Sequence, residues 1–155
     1  GINHGDNSSV SVHYSGTLGA VFEACMKEVP AIGFSVRSTA PDCDFSPYEQ
    51  TILDIASLAM KKDFPRDVCL NVNFPIVEKL RGVRVCRLAR GNWVEEWIGA
   101  DDADTFRLTG HYVNLEPEAD DTDDWVLCHG MAAVTPLKLD MTHYPTIPLL
   151  KELES

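Results

Sequence analysis

The sequence predicts an α/β fold, and three stretches carry that prediction. In the first, Leu18, Val21, Phe22, Cys25 and Val29 recur at helical spacing, and Pro30 stops the pattern. Ala31–Val36 follows as a short, nearly all-apolar run, as expected of a strand covered on both faces. In the second, Ser46-Pro47-Tyr48-Glu49 combines an N-cap serine, a proline at the first helical position and a glutamate placed for a capping box. In the third, Val68, Leu70, Val72 and Phe74 alternate with Cys69, Asn71 and Asn73, a strand pattern that Pro75 ends. A helix followed by a buried strand is half of a βαβ unit and points to an α/β sheet.

The remaining elements follow along the chain. Residues 1–9, rich in Gly, Asn, Asp and Ser, read as a loop, and Val10–Tyr14 as a short extended piece before a helix that begins near Ser15. The second helix buries Tyr48, Ile52, Ile55, Ala56 and Ala59. Lys61 and Lys62 suit its negative end, and Pro65 lies beyond it. Gly82–Leu88 reads as a strand, and Gly91-Asn92 as a turn into Trp93-Val94, which gives a hairpin near 83–97. Residues 99–105 read as an acidic loop, Phe106–Val113 as a strand, Ala132–Val134 as a last strand before Pro136, and Leu149–Leu153 as a short terminal helix. No repeat or linker divides the 155 residues, a length that suits one domain.

Composition excludes several functions. Hydrophobic residues at 45% and charged residues at 24% describe a globular chain, not a disordered one. The net charge of −11 argues against a broad nucleic-acid-binding face. A small anion would need a local positive field, from a metal, a helix N-terminus or a few basic side chains. No apolar run approaches the ~18–20 residues of a membrane span, and no signal-peptide pattern is present. The five cysteines, at 25, 43, 69, 86 and 128, form no Cys-x-x-Cys pair. They read as reduced, mostly buried thiols of a cytoplasmic protein. The five histidines lack metalloprotease spacing and read as surface or structural residues. Glu116–Asp124 holds six carboxylates in nine residues but lacks the glycine and terminal glutamate of a calcium loop. It reads as a solvated loop before Trp125, with which a helix N-cap at Thr122 or Asp123 is compatible.

The stretch with most chemical content is Gly1-Ile-Asn3-His-Gly5-Asp-Asn7 followed by Tyr14-Ser15-Gly16-Thr17. Amide oxygens of Asn3 and Asn7 suit a hard cation, and their N–H groups suit a phosphate. Ser15-Gly16-Thr17 would bring free backbone N–H groups and two hydroxyls to the positive end of the first helix, where an anion binds favourably. Judged on the residues alone, caps and turn residues outweigh a phosphate site. Around Ser15 both glycine positions of a serine-hydrolase elbow fail, and no lysine is placed for a phosphate-binding P-loop.

These motifs resemble the survival protein SurE family of metal-dependent 5′-nucleotidases. The resemblance runs in order through Gly1–Asn7, Tyr14–Ala20, Pro30–Ser35, Leu70–Pro75, Leu108–Gly110, Asp121–Asp123, Val134–Leu137 and Asp140–Thr142. It implies a Rossmann-like three-layer α/β sandwich with a protruding hairpin segment at about 83–113 and a C-terminal helix. It matches Asn3 to a metal ligand, with Mg²⁺ or Mn²⁺ expected, and Asn7, Ser15, Gly16 and Thr17 to phosphate-binding positions. The implied reaction is hydrolysis of nucleoside 5′-monophosphates to nucleoside and phosphate, a 5′/3′-nucleotidase of acid-phosphatase type, in a homodimer or homotetramer.

Departures limit the resemblance. Ser9 stands where the family often has Gly, Leu18 where it often has Val, and Phe106-Arg107 where an aromatic pair is common; the last removes the expectation of base stacking there. The family's Asn-Asp-Asp-Gly motif and the later serine that completes the metal shell are absent, and Asp120-Asp121 and Asp123-Asp124 lie in another context. The sequence therefore reads as the C-terminal part of one such domain, 1–155, without its N-terminal strands. Its catalytic aspartate pair is expected upstream of Gly1, and little activity is expected from residues 1–155 alone. A different reading of the same chain is an oligomerisation or interaction module, with Trp93 and Trp97 either interface anchors or ordinary aromatics.

Overall fold

Three parallel strands, β1 (Asn3–His4), β2 (Ile32–Val36) and β3 (Val68–Phe74), form the half of the sheet that positions the site. The computed structural model describes residues 1–99 and 104–154. Helix α1 (Gly16–Met26) connects β1 to β2, and α2 (Glu49–Lys61) connects β2 to β3. The chain then runs through β4 (Val83–Val85), an arm of β5 (Gly91–Val94), β6 (Trp97–Gly99), β7 (Phe106–Leu108) and β8 (His111–Asn114), helix α3 (Asp123–Cys128), β9 (Ala132–Lys138) and α4 (Ile147–Leu150). The main sheet has the order β1-β2-β3-β9-β4, with β9 antiparallel to β3 and parallel to β4.

The sheet is covered on both faces, which makes three layers. Leu70, Val72, Phe74 and Val134 point to α2 and pack with Tyr48 and Ile55. On the opposite face Cys69 and Leu137 meet Val12, Leu18, Val21 and Cys25 from α1 and the turn before it. Ala133 and Cys86 meet Val126 and Leu127 of α3. Gly33 allows α1 to lie close to the sheet, since a Cβ there would stand 3.0 Å from Leu18 Cδ2.

The expected α/β class holds, with local corrections. Asn3–His4, expected within a loop, is strand β1, paired parallel with β2, and it completes a βαβ unit of which the sequence showed only the helix and the second strand. Val10–Tyr14 is not extended: Ser9–Tyr14 is a 3₁₀ turn in which Ser11 N–H bonds Ser8 O, and of the two valines only Val12 is buried. The first helix ends at Met26, short of Val29. Glu28 adopts a left-handed φ of 58°, and the N–H groups of Glu28 and Val29 return to Cys25 and Ala24, closing the helix and leaving Val29 exposed. The capping box at Ser46 does not form. Asp44 takes both the N–H and the hydroxyl of Ser46, and a 3₁₀ turn over Ser46–Tyr48 precedes α2. The last strand runs through Pro136. Its partner across β3, Leu70, gives its N–H to Ala31 on the other side, so no ladder bond is lost there.

The hairpin is the largest correction. Val83–Val85 belongs to the main sheet, and Gly91-Asn92 is strand, paired with Val113 and Asn114. Gly91 is a glycine because the Tyr112 ring lies on it: a Cβ would stand 2.3 Å from that ring. The arm pairs 91–99 with 106–114. It bends where Glu95 (φ 55°) faces Thr109 and Gly110 (φ 115°), which splits the single strand expected over Phe106–Val113. The expected loop over 99–105 lies largely outside the described residues. The C-terminal helix begins earlier than expected, at Ile147, continues as a 3₁₀ turn over Lys151–Glu154, and buries none of its residues.

Replacing Gly91 by Ala should therefore detach the root of the arm from Tyr112, at a cost of about 1–3 kcal/mol from overpacking. Limited proteolysis should cut within 91–114 faster than in the parent protein. Equal cutting rates would show that the ring contact does not hold the arm.

Candidate functional site

The carboxyl ends of parallel strands are where open α/β sheets place their ligands, and here that end is lined with polar side chains. Asn71 and Asn73 share one face of β3, two residues apart, and Ser35 lies beside Asn73 on β2. All three are fully buried, and they hold the loop that follows β1. Asn7 N–H donates to Asn73 Oδ1 at 2.8 Å, and Asn71 Nδ2 donates to Asn7 O at 2.8 Å. Asn7 Nδ2 donates to Ser35 Oγ at 2.7 Å, and Asn73 Nδ2 to Asn71 Oδ1 at 3.1 Å. The loop can be buried because its backbone groups find these partners.

A second tie is ionic. Arg37, just past β2, meets Asp6 Oδ2 at 2.9 Å and Asp124 Oδ1 at 2.8 Å, and donates to Ser8 Oγ at 3.2 Å. Burial works against the guanidinium charge, but Asp6 and Asp124 outweigh it and hold its pKa above the ordinary arginine value. Asp124 also accepts from Asn114 Nδ2 of β8. A third tie is Asp123, fully buried at the start of α3, which accepts N–H bonds from Ser9, Ala89 and Asp124. Burial pushes its carboxyl pKa up, against the pull of those bonds.

Helix α1 starts directly after the turn that this loop leads into. Ser15 is its N-cap, with Oγ accepting from Leu18 N–H at 3.0 Å, which leaves the hydroxyl hydrogen to donate elsewhere. Among the described residues nothing accepts from the N–H groups of Gly16 and Thr17. Asn7, Ser11, Tyr14 and Ser15 form one wall of a cleft of about 420 Å³, and Trp93, Glu96, Leu108 and Thr109 of the arm form the other.

The structure brings together several residues that the sequence singled out. Asn3 and Asn7 converge on Ser35, the first as its β-partner and the second by a hydrogen bond. Asn7 and Ser15 share the cleft wall; Gly16 and Thr17 follow Ser15 in the first turn of α1 and are not among the residues that line the cleft. Asn3 Nδ2 donates to Gly5 O, so its Oδ1 is the atom left for a cation. One oxygen is not a metal centre: among the described residues no three His, Cys, Asp or Glu side chains are placed to hold an ion, and hard divalent cations take six or more oxygens. The described residues by themselves do not fit a resident metal.

The acidic run is only partly a solvated loop. Thr122 caps α3 as expected, but Asp123 is buried and Asp124 nearly so, and Glu116 pairs with Arg87 at 2.6 Å. Sequence reasoning missed Arg37, Asp6, Ser35 and the structural part of Asn71 and Asn73. No periodicity marks Arg37. The two asparagines at strand spacing, inside an otherwise apolar strand, were the usable signal.

The family described as Survival protein SurE matches residues 1–95. 5′-Nucleotidase SurE of Bacteroides fragilis is 45% identical over 99% of this chain and 62% of its own length. That of Bacteroides thetaiotaomicron is 48% identical over 93% of this chain and 57% of its own. The crystal structure of the SurE protein from Aquifex aeolicus superposes with a TM-score of 0.82 at 29% identity, covering all of this chain and 64% of that one. The chain thus spans about three-fifths of the length of these relatives.

Asn73→Ala leaves the buried Asn7 N–H without a partner and should lower the unfolding free energy by about 1–3 kcal/mol. Urea unfolding measures this, and an unchanged midpoint would show that the network does not hold the loop.

Proposed function

The chain belongs to the survival protein SurE family, and from that membership we propose that it forms the substrate-binding part of a phosphomonoesterase that converts nucleoside 5′-monophosphates to nucleoside and phosphate. The observation that carries this reading is the pinned Asn7 loop beside the open N-terminus of α1. A phosphate there would accept from the Gly16 and Thr17 N–H groups and from the Ser15 and Thr17 hydroxyls. These donors stand ready before charge redistributes, so they need no reorganisation during the reaction. Asn7 has one amide hydrogen engaged by Ser35, which orients the other.

Metal dependence belongs to the same proposal. Asn3 Oδ1 would supply one oxygen to Mg²⁺ or Mn²⁺, whose charge would offset that of the phosphate. The family's Asn-Asp-Asp-Gly motif is absent from the sequence, and among the described residues no three His, Cys, Asp or Glu side chains are placed to hold an ion, so residues 1–155 alone should release little phosphate. The five cysteines are all free thiols, which fits a reducing compartment such as the cytoplasm, and no helix among the described residues is long and apolar enough to cross a membrane.

Exposed apolar residues favour a second role, self-association. Trp97, Ile98, Phe106 and Leu108 of the outer arm are exposed, as are Leu149, Leu150 and Leu153 at the C-terminus. Surfaces of this kind mark interfaces, and a homodimer or homotetramer would cover them. Light scattering should give a mass of at least twice the monomer, and Trp97→Glu with Phe106→Glu should lower it; a monomeric parent would end this reading.

In the intact protein, Ser15→Ala should raise KM for a nucleoside 5′-monophosphate about tenfold, the weight of one hydrogen bond to a charged group. Asn3→Ala should raise the metal concentration needed for half-maximal activity. Phosphate release that is metal-dependent and unchanged in both variants would refute the assignment.

A further inference from the structure

We propose that Asp123 is a positioning residue that ties the Asn7 loop to the root of the arm, so that the two walls of the cleft are set together. Its carboxylate accepts from Ser9 N–H, from Ala89 N–H and from Asp124 N–H, each at 2.8 Å. Ser9 lies two residues after Asn7, and Ala89 lies two residues before β5. A hydroxyl completes the junction. Ser9 Oγ donates to Ala89 O at 2.8 Å and accepts from the Tyr112 hydroxyl, on β8, at 2.8 Å. The site loop, the segment that leads into β5, strand β8 and the start of α3 therefore meet at one carboxylate and one serine.

The local backbone shows that this junction is held under constraint. Ser9 adopts a left-handed φ of 51°, a region that costs a non-glycine residue free energy, and its N–H and hydroxyl bonds oppose a return to ordinary geometry. Asp123 is fully buried and does not line the cleft, so it acts through Ser9 and Ala89 rather than on a ligand. A carboxylate suits the position because it accepts on both oxygens, whereas an asparagine would turn an N–H₂ group toward one of these donors. Displacing the arm would stretch the bonds at Ala89 and Tyr112 and, through Ser9, move Asn7. Arm position would then control how well the phosphate cradle is formed.

This inference rests on the reading of Asn7 and α1 as a phosphate cradle, and its test is chosen to fail separately from that reading. The intact protein, Asp123→Asn, Tyr112→Phe and the surface control Asp120→Asn are compared by hydrogen–deuterium exchange, circular dichroism and steady-state kinetics with a nucleoside 5′-monophosphate. Asp123→Asn should speed exchange in both 6–14 and 89–94 while β2 and α2 stay protected. It should raise KM about tenfold with a smaller change in kcat, whereas a loss of folded protein would lower the apparent kcat alone. Tyr112→Phe should move both readouts in the same direction by less, and Asp120→Asn neither. A folded Asp123→Asn protein with parental KM, or with faster exchange confined to α3, overturns the proposal. If Asp123→Asn does not fold, Tyr112→Phe decides, and parental exchange and KM in that variant overturn it. If no variant or parent hydrolyses nucleotide, the functional reading fails, and the exchange pattern alone supports or overturns the junction.

Discussion

The peptide groups on either side of Asn7 are satisfied by two asparagine side chains of β3, and the geometry of the site follows from that arrangement. A loop lying on the end of a sheet buries its N–H and C=O groups, and leaving them unpaired would cost more than most single contacts contribute. Asn71 and Asn73 supply one acceptor and one donor at the needed spacing because strand alternation puts both on the same face. With Asn7 held, the short 3₁₀ turn Ser9–Tyr14 has a fixed start, and the first turn of α1 is directed to the carboxyl edge of the sheet.

The electrostatics of the site bear on how a chain with a net charge of −11 would hold the proposed anionic substrate. Two arginines near the site are already committed. Arg37 is neutralised by Asp6 and Asp124, and Arg87 by Glu116 and Asp121. Hydrogen bonds from Arg87 and from Arg90 N–H hold the Glu116 carboxyl below its ordinary value. In the proposed reading, the positive potential that a phosphate meets comes from oriented N–H groups at the helix start rather than from a basic patch. Such a source is local and leaves the rest of the surface acidic.

How much of this was legible in the sequence depends on which force set each element. Strand β3 and the stripe Leu18, Val21, Cys25 were legible because burial imposes a period, and so was Ser15 as the start of α1. The arm was misread because Gly91-Asn92 has the composition of a turn. Its glycine answers instead to a ring, Tyr112, that arrives from twenty-one residues away. In the sequence Asp123 was an acid of a solvated run or a helix cap, and its burial with two distant partners, the N–H groups of Ser9 and Ala89, distinguishes it from Asp120 and Asp121. Asn3, Asn7, Ser15, Gly16 and Thr17 could be nominated by residue type. That Ser35 joins Asn3 to Asn7, and that Asn7 and Ser15 line one cleft, are tertiary facts that no local pattern encodes.

The central claim is that the Asn7 loop and the first turn of α1 form one phosphate cradle. Titrating inorganic phosphate into the ¹⁵N-labelled intact protein and following its backbone amides tests it most directly. The account predicts saturable shifts at Asn7, Gly16 and Thr17, with the amides of α2 unmoved and the shifts reduced in Ser15→Ala. Saturable shifts centred elsewhere, or none at these three amides, would contradict it.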